Sequence, residues 1–249
     1  MANVTAAQTS PRPPTAPGRF SRIPLPSERA IRRLAVASLV SQMAIVVTGG
    51  AVRLTDSGLG CPEWPRCTPD SLTSTPEMGI HGAVEFGNRL LTFVLGIIAA
   101  LVLAAVLRTL RSHRPRRDLL VPSLVLLFGI PAQAVIGGIT VWTGLNPWVV
   151  MLHFMCSAAL IGIATVLVRR AQRPHGELPQ RIGSPWLARL GLANVVAAYV
   201  VVYLGTIVTG SGPHAGDPNS PRTGFDVASV TQIHAHAVAL LIGLTIGMY

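Results

Sequence analysis

The sequence predicts an all-α, polytopic membrane helical bundle, and three observations predict it. Half of the 249 residues are hydrophobic, only 12% are charged and mean hydropathy is +0.51, a balance foreign to soluble domains. Six apolar stretches, at about 34–52, 79–107, 119–142, 148–168, 186–210 and 227–249, are each long enough to cross ~30 Å of hydrocarbon as helix, which takes ~20 residues. The basic residues, all of them arginine, are distributed by side: sixteen flank alternate ends of these stretches and three lie in the opposite loops. Basic loops stay cytoplasmic.

The elements follow in order. Residues 1–33 combine Pro, Ser, Thr and Ala with six arginines and no apolar run. They are expected to be a disordered cytoplasmic N-terminal tail rather than a signal peptide. The first span ends in Thr48-Gly49-Gly50 and leads into the loop Cys61-Pro-Glu-Trp-Pro-Arg-Cys67. Arginine counting places that loop outside the cell membrane, where two cysteines can persist as a disulfide. Closing so short a loop is worth ~2 kcal/mol in the chain-entropy model. A structural clip and a redox role for Cys61 and Cys67 both remain open.

The second span opens His81-Gly-Ala-Val-Glu85-Phe-Gly-Asn88-Arg89. Helical spacing puts His81, Glu85 and Asn88 on one face and Arg89 within reach of Glu85. The bland reading is a Glu85–Arg89 pair that snorkels to the interface. The sharper one is a bundle-facing site with Glu85 handling protons. The third span runs Gln133-Ala-Val-Ile-Gly137-Gly138, whose small residues serve either close helix packing or a flat ligand. In the fourth span His153 stands among apolar neighbours, an expensive placement that favours a metal or haem ligand, whereas Cys156 reads as a small core residue.

The fifth span ends Thr209-Gly210-Ser211, an echo of Thr48-Gly49-Gly50, and the sixth holds His234 and His236. These two point to nearly opposite faces, so one metal cannot take both; His234 is the bundle-facing choice. His214 reads as solvated. The echo suggests two repeated halves, a four-helix unit over 34–170 and, after a cytoplasmic linker at 171–185, an incomplete half of two helices at 186–249. No phosphate-binding loop, dinucleotide fingerprint, HExxH or serine triad is present, and the +10 charge is explained by topology rather than by nucleic acid.

The run Gly49-Gly-Ala-Val-Arg53-Leu-Thr-Asp-Ser-Gly-Leu-Gly-Cys61-Pro-Glu-Trp-Pro-Arg-Cys67, with Glu85-Phe-Gly-Asn88-Arg89 and Gly137-Gly-Ile-Thr-Val-Trp-Thr-Gly before His153, resembles the haem A synthase family from about residue 34 onward. The resemblance implies an oxidoreductase that converts the C8 methyl of haem O to a formyl group by successive hydroxylation, giving haem A for cytochrome oxidase. It implies eight helices in two four-helix halves, the first handling the substrate haem and the second holding haem b. Glu85 matches the family's essential glutamate, Cys61 and Cys67 its outer cysteine pair, His153 its fourth-helix ligand and His234 its sixth-helix ligand; Asn88 and Arg89 would support the substrate. The family often has histidine where this chain has Asn88. That leaves His81 as a substitute ligand, gate or proton partner, or else an open iron position at Asn88. Counting from Arg108 puts His81 ~10 Å beyond the hydrocarbon edge, at 1.5 Å per residue, so an axial pairing with His153 is strained. The family's eighth-helix histidine has no counterpart here, as in a C-terminally truncated member. Implied partners are haem O synthase (protohaem farnesyltransferase), oxidase assembly factors, membrane lipid and a further copy of the chain. The alternatives are a b-type haem electron carrier, which needs no Glu85, and a proton-coupled transporter, which needs no haem.

Overall fold

A computed structural model describes residues 25–113, 115–174, 177 and 184–248. Within them the chain forms six long helices: α1 Glu28–Leu54, α2 Gly79–Thr109, α3 Leu120–Trp142, α4 Pro147–Gln172, α5 Pro185–Ser211 and α6 Val227–Ile246. All six are long and apolar enough to cross a membrane. The protein is therefore an α-helical, multi-pass membrane protein.

Local chemistry fixes most helix starts. The side chains of Ser27, Asn146, Ser184 and Asp226 accept hydrogen bonds from the backbone N–H groups of Ala30, Trp148, Leu187 and Ser229, satisfying donors that the first turn leaves orphaned. Pro147 and Pro185 sit where a missing N–H costs nothing. The Ser27 cap also corrects one expectation. Residues 28–33 belong to α1, not to a disordered tail, because the cap and the acidic first-turn residue Glu28 extend the helix past its apolar run. The rest of that tail, 1–24, lies outside the described residues, as does most of the expected 171–185 linker. The sixth helix closes at Ile246, three residues before the expected end of its span.

Helices α1 to α4 close into a ring: α1 packs on α2 and α4, and α3 on the same two. Helix α5 packs on α4, and α6 on α5. The core of the ring lies toward the arginine-rich end, where Ile31, Ala35, Val102, Val106, Leu119, Leu126, Ala164 and Leu167 are each at most 3% exposed. Buried Arg116 closes that end, joining Glu28 of α1 and Asp118 and accepted by the Arg170 carbonyl of α4.

Toward the cysteine-loop end the packing changes. No residue of 43–51, 86–94, 131–137 or 148–159 is fully buried. These four windows lie at the same level of α1, α2, α3 and α4, about 10–18 Å of helix each at 1.5 Å per residue. Here the ring has its fully buried core at one end and the loops at the other, with half-buried and exposed side chains between. Residues Thr48, Asn88, Gln133 and His153 all fall in that middle layer.

Candidate functional site

Cys61 and Cys67 are joined as a disulfide with Cα atoms 4.4 Å apart, and both are 0% exposed. The loop they close is seated on two helices. On α3, the Trp64 indole lies over Gly138, where an added Cβ would come within 2.4 Å of the ring. Trp64 also meets Trp142 edge-on at 5.4 Å, and Trp142 Nε1 donates to the Trp64 carbonyl at 3.1 Å. Gly138 thus makes room for the loop's own tryptophan, not for a macrocycle or a neighbouring helix. Where the loop crosses the start of α2, a Cβ on Gly60 would lie 2.2 Å from the His81 carbonyl oxygen, so that close approach also requires glycine.

The seat on α2 is electrostatic. Glu85 is buried, 6% exposed. Its Oε1 accepts from Arg89 Nε at 3.1 Å and from Arg89 Nη2 at 2.5 Å, and its Oε2 accepts from the Cys61 backbone N–H at 2.6 Å. Arg89 Nη2 also donates to the Cys61 carbonyl, and Nη1 to the Glu63 and Arg66 carbonyls, all at 2.9 Å. A guanidinium has five N–H donors, and these contacts use every one. The pair does not snorkel to the interface, and Arg89 is not free to bind a substrate. It grips the cysteine loop through three of its carbonyls while Glu85 holds the loop's first amide. A carboxylate offers about four lone-pair sites. Three are taken, and the fourth, on Oε2, is where a proton could be held.

The remaining candidates separate. His81 is exposed and its Nδ1 lies 3.0 Å from the Ser57 hydroxyl, so it belongs to the rim. The helical face it nominally shares with Glu85 and Asn88 is covered at its first turn by the cysteine loop. Asn88 is tied across to α1, where the Thr48 hydroxyl donates to its Oδ1 at 2.6 Å. The position is therefore internally bonded, not an unengaged gap.

His153 rests on α3: its Cε1 is 3.3 Å from where a Cβ on Gly137 would stand. Its backbone carbonyl accepts from Gln133 Nε2 at 3.0 Å, and its Nδ1 is buried with no protein partner. His234 repeats this seat one hairpin later. Its Cε1 is 3.2 Å from where a Cβ on Gly205 of α5 would stand, and its Nδ1 is likewise buried and unpartnered. His236 and His214 are exposed, and Cys156 is a half-buried free thiol.

Among the described residues no three His, Cys, Asp or Glu side chains gather around a common point. A metal held here would take most of its ligands from a non-protein group. Two imidazoles, each with a buried nitrogen that the protein does not satisfy, suit such a group.

The sequence singled out Glu85, Arg89, His153 and His234. It did not find Trp64, Thr48 or the shared seats on Gly137 and Gly205. A tryptophan between two prolines in a cysteine-closed loop was the available signal for the first. For Thr48 and the two glycine seats no local signal exists.

Residues 32–216 match the COX15-CtaA family, described as cytochrome oxidase assembly protein. The chain is 30% identical over 186 residues to a protein named Heme A synthase from Lysinibacillus sphaericus, covering 72% of this chain and 58% of that one. A Heme A synthase of Bacillus pumilus is 30% identical over 190 residues, with 72% and 58% covered. One of Exiguobacterium sibiricum is 28% identical over 173 residues, with 68% and 55% covered. The chain thus spans a little over half the length of these curated relatives. No solved structure matches.

Proposed function

The chain belongs to the COX15-CtaA family, and from that membership we propose that it takes part in making haem A from haem O, oxidising the C8 methyl through successive hydroxylation to a formyl group. The single observation that carries this reading beyond the family name is the buried, unsatisfied imidazole nitrogen of His153, in a ring whose Glu85 carboxylate lies under a disulfide-closed loop.

In this reading the unit 34–170 handles haem O, with His153 as its protein ligand, and 186–249 contributes His234 to a haem b site, with 171–185 linking them. Haem, when bound, supplies the oxidative chemistry. The chain's own residues bind, orient and exclude water. His153, seated against Gly137, would hold the group in one orientation. Glu85 would act as the proton-handling group through the free lone pair of Oε2, held in place by Arg89 and the Cys61 amide. Asn88, bonded to Thr48, would line the substrate layer. His81, at the rim, serves as neither ligand nor base.

The arginine distribution supports a cytoplasmic N-terminus and an extracytoplasmic cysteine loop in the cell membrane. The chemistry implies a haem O synthase upstream and oxidase assembly downstream. The test is haem extraction from the chain purified from a host that makes haem O. Wild type yields haem A, and Glu85→Gln yields haem O with little or no haem A. Equal haem A from the two proteins would remove Glu85 from the reaction. Bound haem with reversible redox but no haem A from either would favour an electron carrier.

A further inference from the structure

Three arginines, Arg89, Arg116 and Arg222, are each engaged by several protein groups. Arg89 spends all five donors on Glu85 and the cysteine loop. Arg116 is paired with Glu28 and Asp118. Arg222 turns inward on its own loop, donating to carbonyls of Gly212, Pro213, Asp217 and Ser220 and to the Ser220 hydroxyl.

Arg53 differs. It lies in the last turn of α1, wedged against Gly216 of the loop between α5 and α6; its Cγ is 3.8 Å from where a Cβ on Gly216 would stand. Its one hydrogen bond runs from Nη2 to the Ala215 carbonyl at 3.4 Å, and its Nε is buried with no partner. Among the described residues it makes no ion pair. No ion pair joins it to Asp56, three residues on, whose Oδ1 is itself buried without a partner. Arg222 adds positive potential at the same place. A half-buried guanidinium with unspent donors and a second cation beside it is costly unless an anion completes it.

We propose that Arg53 is an anion-binding residue that receives a carboxylate from the edge of the macrocyclic substrate. The inference rests on the haem reading above and adds to it the contact that orients the macrocycle. On α1, Arg53 stands five residues beyond Thr48, about 7.5 Å along the axis and about 140° around it, so a carboxylate would reach it from the loop end and not along the face on which Thr48 bonds Asn88. A macrocycle lying at that level, with its carboxylate edge toward the cysteine-loop end, brings an acid to Arg53. Arginine is suited to that contact through a two-point fork.

The test uses iron protoporphyrin and its dimethyl ester, titrated by absorbance into the purified full chain in nanodiscs of zwitterionic lipid. The wild type binds the diacid about tenfold or more tightly than the diester, the range of a charge-assisted hydrogen bond. Arg53→Gln loses that preference while keeping the wild-type affinity for the diester, and Arg53→Lys keeps part of it. Equal affinity of the wild type for diacid and diester overturns the proposal without any variant being made. So does an Arg53→Gln protein that still prefers the diacid. If neither porphyrin binds the wild type, the haem reading itself falls, which is a separate and recognisable result.

Discussion

Replacing Arg89 with lysine keeps the charge and removes the fork. The guanidinium serves five bonds, two to Glu85 Oε1 and one each to the carbonyls of Cys61, Glu63 and Arg66. An ammonium has three donors on a compact head, so at least two of these bonds are lost even with ideal placement. A buried acceptor left unpaired costs ~1–3 kcal/mol. The contacts to Glu63 and Arg66 are at the exposed edge, where water replaces a lost partner, which moves the total to the low end, ~2 kcal/mol. That cost falls on the docked state of the cysteine loop. Because both sulfurs are 0% exposed, a reductant reaches them only when the loop lifts. A docking loss of ~2 kcal/mol raises the lifted population, and with it the reduction rate, by about thirtyfold. The assay is reduction by a water-soluble phosphine, quenched with a polymer-tagged maleimide and read as a gel shift, with the wild type in parallel. Arg89→Lys should accelerate reduction between tenfold and a hundredfold, and Arg89→Ala at least as much. Wild-type reduction rates in both variants would refute the grip and return the Glu85–Arg89 pair to a local helix contact.

Other expectations follow from the same contacts. Gly138→Ala places a methyl within 2.4 Å of the Trp64 ring, so it should lower thermal stability by about 1–3 kcal/mol and speed disulfide reduction; a wild-type melting temperature would show that Trp64 is not seated there. His153→Ala should abolish the absorbance shift that added iron protoporphyrin undergoes on binding, whereas His81→Ala, changing a rim residue bonded to Ser57, should leave that shift unchanged. The opposite pattern would exchange their roles. Arg116→Ala removes the cation between Glu28 and Asp118, whose side chains are themselves 46% exposed. The loss should therefore be about 2 kcal/mol, below the ~3–5 typical of fully buried pairs, and measurable as a lower unfolding temperature in detergent.

The sequence by itself determined the six helices, because hydropathy is a local property, although the first was expected from about 34 and the Ser27 cap starts it at Glu28. It determined the cysteine pair as a candidate bridge, and it singled out Glu85, His153 and His234 because ionisable groups within apolar runs are expensive. The tertiary structure decided what those groups touch. Arg89 and Glu85 were legible as an i, i+4 pair, but their bonds to Cys61, Glu63 and Arg66 span 23 to 28 residues and depend on the path of an irregular loop. Gly137 and Gly138 read alike in the sequence, yet one meets the His153 ring and the other the Trp64 indole, since adjacent helix positions face about 100° apart. Asn88 read as a departure from a family pattern until Thr48 of a different helix was found bonded to it. Periodicity records which side of a helix is apolar. It does not record which neighbour lies there, and at this site the neighbour determines whether a residue holds the cysteine loop, faces the middle of the ring or stands at the rim.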